Sequence, residues 1–179
     1  MKVQCDILNA VDRQEVVFLV MPDLSAAFDT IDHDILLYRL KNTFGISGKV
    51  LQWIQSYLES REYRVHIDGI FSDTCKLEYG IPQGSVLGPL GFVLYTFPIG
   101  SIIRKHGLHF HTYADDTQIY VSFNPRTPGA PEVALQKLQS CIAELSNWMT
   151  LNKLKLIPQK PNSLSAVLFK VLINYLLLN

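Results

Sequence analysis

The apolar pattern of this chain changes period several times, and each change marks an element. Val16-Val17-Phe18-Leu19-Val20-Met21 is an unbroken apolar run, the pattern of a strand covered on both faces. Ile35, Leu36, Leu40 and Phe44 then form a helical stripe from about His33 to Phe44, with Asp32 placed as N-cap and Gly45 as terminator. Ser47 is placed to cap a second helix that carries Val50, Leu51, Ile54, Tyr57 and Leu58 on one face. Tyr63 to Gly69 alternates and then turns, which predicts a strand entering a hairpin. Leu108, Phe110 and Thr112 alternate before Tyr113-Ala114-Asp115-Asp116, and Ile119 and Val121 follow it, so a second hairpin is predicted with carboxylates at its tip. Between the two hairpins, Gly80 to Ser85 reads as a loop leading into an uncharged, buried core helix. Asn124 to Pro131 reads as a loop. Glu132 to Leu151 is helical through Leu135, Leu138, Ile142, Leu145 and Met149. Mixed strands and helices without a regular βαβ rhythm predict an α+β fold, a sheet with helices packed on one side.

Composition narrows the class. A chain of 179 residues suits one domain or a piece of a larger one, and 48% hydrophobic with 18% charged residues indicates a globular chain. Net charge is zero, which argues against a self-sufficient nucleic-acid binder, though not against a catalytic core whose basic surfaces lie elsewhere. Cys5, Cys75 and Cys141 are scattered, favouring free thiols in a reducing compartment. Met1 to Asp6 carries charge where a signal peptide needs an apolar run. Tyr79 to Ile103 has the length of a bilayer span, yet Pro82, Pro89, Pro98 and five glycines interrupt it, and the apolar tail from Leu164 to Leu178 is short and broken by Lys170. No membrane partner is expected.

The candidate chemistry lies in carboxylates at strand ends. Mg²⁺ takes oxygen ligands, commonly one or two carboxylates with waters and substrate phosphates, and a two-metal centre needs carboxylates converging from different parts of the chain. Asp23 ends one predicted strand and Asp115-Asp116 sits at a hairpin tip, so they meet if those strands are neighbours. Such a site would perform in-line phosphoryl or nucleotidyl transfer. On spacing alone, acidic residues in solvated turns are an equal reading. His109 and His111 form a potential zinc pair without a third ligand nearby, so ordinary strand positions are favoured. Asp32-His33-Asp34 is better explained by helix capping than by catalysis.

Asp23-Leu24-Ser25-Ala26-Ala27-Phe28-Asp29-Thr30-Ile31-Asp32-His33 resembles motif A of the reverse transcriptases of non-LTR (LINE-type) retrotransposons. Gly80-Ile81-Pro82-Gln83-Gly84-Ser85-Val86-Leu87-Gly88-Pro89-Leu90 resembles their motif B, and Tyr113 to Gln118 their motif C. Leu151 to Lys160 is similar to the beginning of motif D, and the order is the family's. The resemblance implies a polymerase palm, an antiparallel sheet backed by helices, working as an RNA-directed DNA polymerase with two Mg²⁺ ions, for which Mn²⁺ would substitute. Asp23 and Asp115 would be the principal metal ligands and Asp116 a supporting carboxylate. The backbone of Leu24, Ser25, Ala26 and Ala27 would lie near the incoming triphosphate. Phe28 would exclude a 2′-hydroxyl and select deoxynucleotides, although spacing alone favours a core aromatic. Gln83 and Gly84 would border the templating pair, and Lys160 would assist the departing pyrophosphate. RNA template, DNA primer and deoxynucleoside triphosphates are the implied partners, in the cytoplasm or nucleus.

The resemblance also sets expectations where the chain departs from it. Residues 1–160 read as a partial reverse transcriptase domain, with fingers and thumb largely missing, and 161–179 as a divergent apolar tail. Missing subdomains would weaken nucleic-acid binding, so a catalytically inactive remnant or binding module with a preserved metal site is the alternative function. Pro22 would remove a ladder donor just before Asp23. Gly91 stands where a larger helix residue is expected, with an expected cost of about 1 kcal/mol in helix propensity plus lost packing.

Overall fold

The computed structural model describes residues 2–22, 24–25, 28–82, 84–113 and 116–156. The chain begins with α1 (Lys2–Asp12), β1 (Val16–Val20) and β2 (Leu24–Ser25), followed by helices α2 (His33–Asn42) and α3 (Gly48–Leu58). Four two-residue strands come next: β3 (Glu62–Tyr63), β4 (His66–Ile67), β5 (Ile70–Phe71) and β6 (Cys75–Lys76). Then come α4 (Gly88–Thr96), α5 (Ile99–Lys105), β7 (His109–Tyr113), β8 (Asp116–Phe123), α6 (Ala130–Leu151) and β9 (Lys155–Leu156). They form two compact units, one of Met1–Ser25, Phe97–Leu151 and Lys155–Asn179, the other of Ala26–Thr96 and Asn152–Leu154.

The first unit is built on an antiparallel sheet of order β1-β8-β7. β1 pairs with β8 from Val16↔Phe123 to Val20↔Ile119, and β8 pairs with β7 from His109↔Tyr120 to Tyr113↔Asp116. The apolar run forms β1, an edge strand of this sheet with Val17, Leu19 and Val20 buried. Both sheet faces are covered, which corrects the expectation of helices on one side. Val17, Leu19 and Tyr120 share one face and pack with Val3, Ile7 and Ala10 of α1. Phe110, opposite Ile119, lies on the other face against Gly100 of α5, where a Cβ would come within 2.8 Å of its ring. α1 was not among the predicted elements, although its core side chains Val3, Ile7 and Ala10 recur at the helical spacing i, i+4 and i+7. α6 buries Ala134, Leu138, Cys141, Leu145 and Met149 on one line, while Leu135 and Ile142 of the predicted stripe are only half-buried. Burial pushes the Cys141 thiol up to about 11, the behaviour of an inert core cysteine.

In the second unit, the Asp32 carboxylate accepts from the Ile35 amide at 3.0 Å and caps α2 as predicted. The left-handed backbone of Gly45 (φ 68°) lets the Ile46 amide reach the Leu40 carbonyl at 3.0 Å, ending the helix. Ser47 holds the N-cap position of α3, but its side chain makes no capping bond. The predicted stripe on α3 buries only Leu58 fully, and Val50 and Trp53 are exposed. The predicted hairpin is real but longer than expected: β4 and β5 turn at Asp68-Gly69, both at positive φ, and β3 pairs with β6 behind them. The expected buried core helix is two helices separated at Phe97-Pro98, α4 in this unit and α5 in the first, and Leu90, Val93 and Phe97 are exposed. Proline at 98 lacks the amide that would carry α4 onward. Among the described residues no helix is long and apolar enough to cross a membrane.

Candidate active site

The two strands expected to carry the carboxylates are direct neighbours. β1 ends at Val20, opposite Ile119, and β8 opens with Asp116, opposite Tyr113, so the exit of β1 and the start of β8 share one end of the sheet. The Asp116 side chain is exposed there, and no lysine or arginine among the described residues forms a salt bridge with it. Asp23, three residues beyond Val20 in sequence, and Asp115, which precedes Asp116, lie outside the described residues, as do Ala26, Ala27, Gln83 and Lys160. Leu24 and Ser25 pair antiparallel with Leu156 and Lys155, so the start of motif A is stitched to the motif D segment. Pro22 follows the last β1–β8 pair, and the described ladder therefore loses no bond to it. Among the described residues no three His, Cys, Asp or Glu side chains gather as a metal site. His109 stacks on Tyr120 at 5.6 Å, an ordinary strand contact.

In the second unit, the rest of motif A is clamped to the start of motif B by backbone hydrogen bonds. The Ile81 amide donates to the Phe28 carbonyl at 2.9 Å, and the Gly80 amide to the Ile31 carbonyl at 2.7 Å. Asp32 and Tyr79 form an antiparallel bridge, and the His33 ring nitrogen lies 2.7 Å from the Gly80 carbonyl. At Gly80 the backbone has φ 87°, and a Cβ would stand 2.9 Å from the Asp29 carbonyl oxygen, so only glycine fits. Phe28 is half-buried, its ring 5.1 Å from that of Phe92 in α4. It therefore has a packing partner and an uncovered portion. Gly84 has φ 78° with open space around it. Ser85 accepts from the Gly88 amide at 3.1 Å and caps the entry to α4. At Gly91 a Cβ would come within 2.5 Å of the Ile81 side chain, so the volume of the expected larger residue is already filled by Ile81. The predicted loss of packing there is not found.

Residues 4–175 match the family described as Reverse transcriptase (RNA-dependent DNA polymerase). The chain belongs to that family. It is 32% identical over 159 residues to the "Probable RNA-directed DNA polymerase from transposon BS" of Drosophila melanogaster, a match covering 86% of this chain and 17% of that protein. It is also 34% identical over 117 residues to the "RNA-directed DNA polymerase from mobile element jockey" of Drosophila funebris, across 63% of this chain and 13% of the relative. The chain thus spans under a fifth of the length of these curated relatives. Among solved structures, its fold is similar to that of apo telomerase from Candida tropicalis truncated from the C-terminal domain, with a TM-score of 0.60 at 16% identity, covering 90% of this chain and 36% of that one.

Sequence reasoning missed one polar node in this reverse transcriptase-family chain. Arg39 is buried, donates to the Tyr95 carbonyl and, at 2.6 Å, to the Asn152 side chain, and lies 5.0 Å over the Tyr95 ring. The Tyr95 hydroxyl donates to the Asn152 carbonyl at 2.5 Å. Desolvation lowers the Arg39 pKa and raises that of Tyr95. The node ties α2 and α4 to the first residue after α6 in motif D. An arginine on the apolar stripe of α2, next to Leu40, was the signal that pointed to it.

Proposed function

We propose that this chain forms the palm of an RNA-directed DNA polymerase, with Asp23 and Asp115 as principal ligands of two Mg²⁺ ions and Asp116 supporting them. The observation that carries the reading is the antiparallel pairing of β1 with β8, which brings the strand leading to Asp23 beside the strand that opens with Asp116. The donor set suits a hard divalent cation, since carboxylate oxygens are its preferred ligands and the exposed Asp116 has no described cationic partner. When bound, such ions would acidify the primer hydroxyl and neutralise charge on the leaving pyrophosphate.

The remaining roles fall to the chain's own residues. The backbone from Leu24 to Ala27 would hold the triphosphate, and the uncovered part of the Phe28 ring would exclude a 2′-hydroxyl. Gln83 and Gly84 would border the templating pair, where positive φ at Gly84 supports a turn without a side chain. Lys160 would give a proton or its charge to the departing pyrophosphate. These motifs fall within residues 1–160, with 161–179 as a divergent tail. RNA template, DNA primer and deoxynucleoside triphosphates are the proposed partners.

Primer extension on an RNA template with the purified chain, beside Asp115→Asn, tests this. Extension abolished by the substitution is the expected result; extension that survives it would overturn the assignment. Absence of extension, with Mn²⁺ binding that still requires Asp23 and Asp115, would establish the alternative function, a preserved metal site without polymerase activity.

A further inference from the structure

Edge strand β7 borders an open cleft of about 580 Å³ in the first unit. Its walls include Lys2, Arg104, His109, Phe110, His111 and Thr112, and among the described residues no carboxylate lines it. In a chain of zero net charge, this is a local excess of positive charge. Lys2 and Arg104 are exposed and form no salt bridge among the described residues. The Arg104 guanidinium lies 5.0 Å over the Phe110 ring, which directs its charge without neutralising it.

The cleft touches both His109 and Phe110, consecutive strand residues whose side chains point to opposite faces, so it runs along the strand edge. In the order β1-β8-β7 the outer side of β7 has no partner strand among the described residues. Alternate backbone amides there are available donors, joined by the Thr112 hydroxyl and the histidine rings. Backbone amides, hydroxyls, arginine and lysine are the groups that hold phosphate oxygens without reading bases.

We infer that this cleft binds the phosphate backbone of a nucleic-acid strand; the proposal rests on the polymerase-palm reading and extends it to the outer edge of β7. Its shape favours a strand over a mononucleotide. It is open and lined by consecutive residues of β7, and from His109 to Thr112 the backbone advances roughly 10 Å, about three nucleotides of helix rise. The same strand continues to Tyr113, which faces Asp116, so a bound backbone would lead toward the hairpin tip.

The test is binding, not catalysis, so it is independent of whether the chain extends a primer. A fluorescein-labelled RNA–DNA hybrid is titrated with the full chain by anisotropy over a range of salt concentrations. The comparison is with the double variant Lys2→Gln/Arg104→Gln and with Lys49→Gln/Lys137→Gln, which removes the same charge elsewhere on the exposed surface. The cleft variant should bind roughly tenfold more weakly, with a salt slope shallower by about two, whatever the hybrid sequence. The control pair should stay within about twofold of wild type, the residue of a nonlocal charge effect. Thermal melting of each variant checks that the fold is kept, and His111→Gln, which leaves Lys2 and Arg104 in place, should also weaken binding. Equal losses in cleft and control variants would overturn the proposal, as would no binding by wild type or competition by inorganic phosphate as strong as by unlabelled hybrid. Loss of Asp115-dependent extension or metal binding with cleft binding intact would overturn the palm chemistry instead.

Discussion

The guanidinium of Arg39 and the side-chain oxygen of Asn152 lie 2.6 Å apart in the interior of one unit, joining residues 113 positions apart in sequence. Arg39 is desolvated, and its charge is held by neutral acceptors, the Tyr95 carbonyl and Asn152, and by the Tyr95 ring. Truncating one partner leaves the other's polar atoms buried, which costs more than the bond itself contributes. Asn152→Ala is expected to lower unfolding stability by about 1–3 kcal/mol. Arg39→Ala removes packing and leaves two buried acceptors without their donor, at an expected cost of about 1–3 kcal/mol for each acceptor. Urea denaturation of both variants and the double variant should show strong non-additivity; simple addition would mean the two act separately.

Gly80 and Gly84 both have positive φ, but their surroundings differ. An alanine at Gly80 would meet the Asp29 carbonyl oxygen at 2.9 Å, a backbone atom that cannot rotate away, whereas Gly84 has open space. The left-handed conformation alone costs an alanine about 1–2 kcal/mol. Gly84→Ala should lose about that amount. Gly80→Ala should lose about 3 kcal/mol or more, since the bonds from Gly80 to Ile31 and from Ile81 to Phe28 must shift as well. Equal losses in chemical denaturation would rule out a special role for the contact.

Acid should loosen the attachment of α5 to α6. Glu144 accepts from Lys105 at 2.8 Å and from the His106 ring at 2.8 Å, and these bonds, that from Lys105 first, hold its pKa below the ordinary glutamate value. A depressed carboxylate pKa stabilises the fold above the unfolded-state value, and that contribution disappears as pH falls through the folded-state value. Wild type should therefore be more stable than Glu144→Gln near neutrality, with the gap closing in acid. Melting temperatures of both proteins across pH would show it; a gap that widens in acid contradicts the pairing.

What was legible in the sequence was what short-range pattern controls. Asp32 as a cap, the turn after Ile67 and the hairpin on either side of 114–115 depend on neighbours within a few residues, and those local rules held. The pairing of β1 with β8 was legible only as a condition, because register between distant strands is set by packing that the chain pattern does not carry. Long-range contacts also explain the errors. Ile81 fills the space beside Gly91, so the expected void is absent. α4 exposes Leu90 and Val93 because an uncharged run does not specify which face is covered. Arg39 drew no reading from the sequence, because its partners Asn152 and Tyr95 come from 113 and 56 residues away. The carboxylates were read by motif, and Asp116 alone of them lies among the described residues.

Phe28 offers the sharpest separation of packing from selection. Its ring rests on Phe92 at 5.1 Å, yet the residue is only half-buried. If the ring were simply core, shortening it would change stability and leave nucleotide choice alone. Phe28→Leu keeps most of the apolar contact while removing the flat ring edge, so a stability loss of under about 1.5 kcal/mol is expected. With the proposed role, the preference for deoxynucleotides over ribonucleotides should fall by roughly tenfold or more, because a steric clash is removed without adding a new bond. Single-nucleotide extension with each triphosphate measures the ratio in the extending protein. An unchanged ratio at reduced stability would assign Phe28 to the packing of α4 alone.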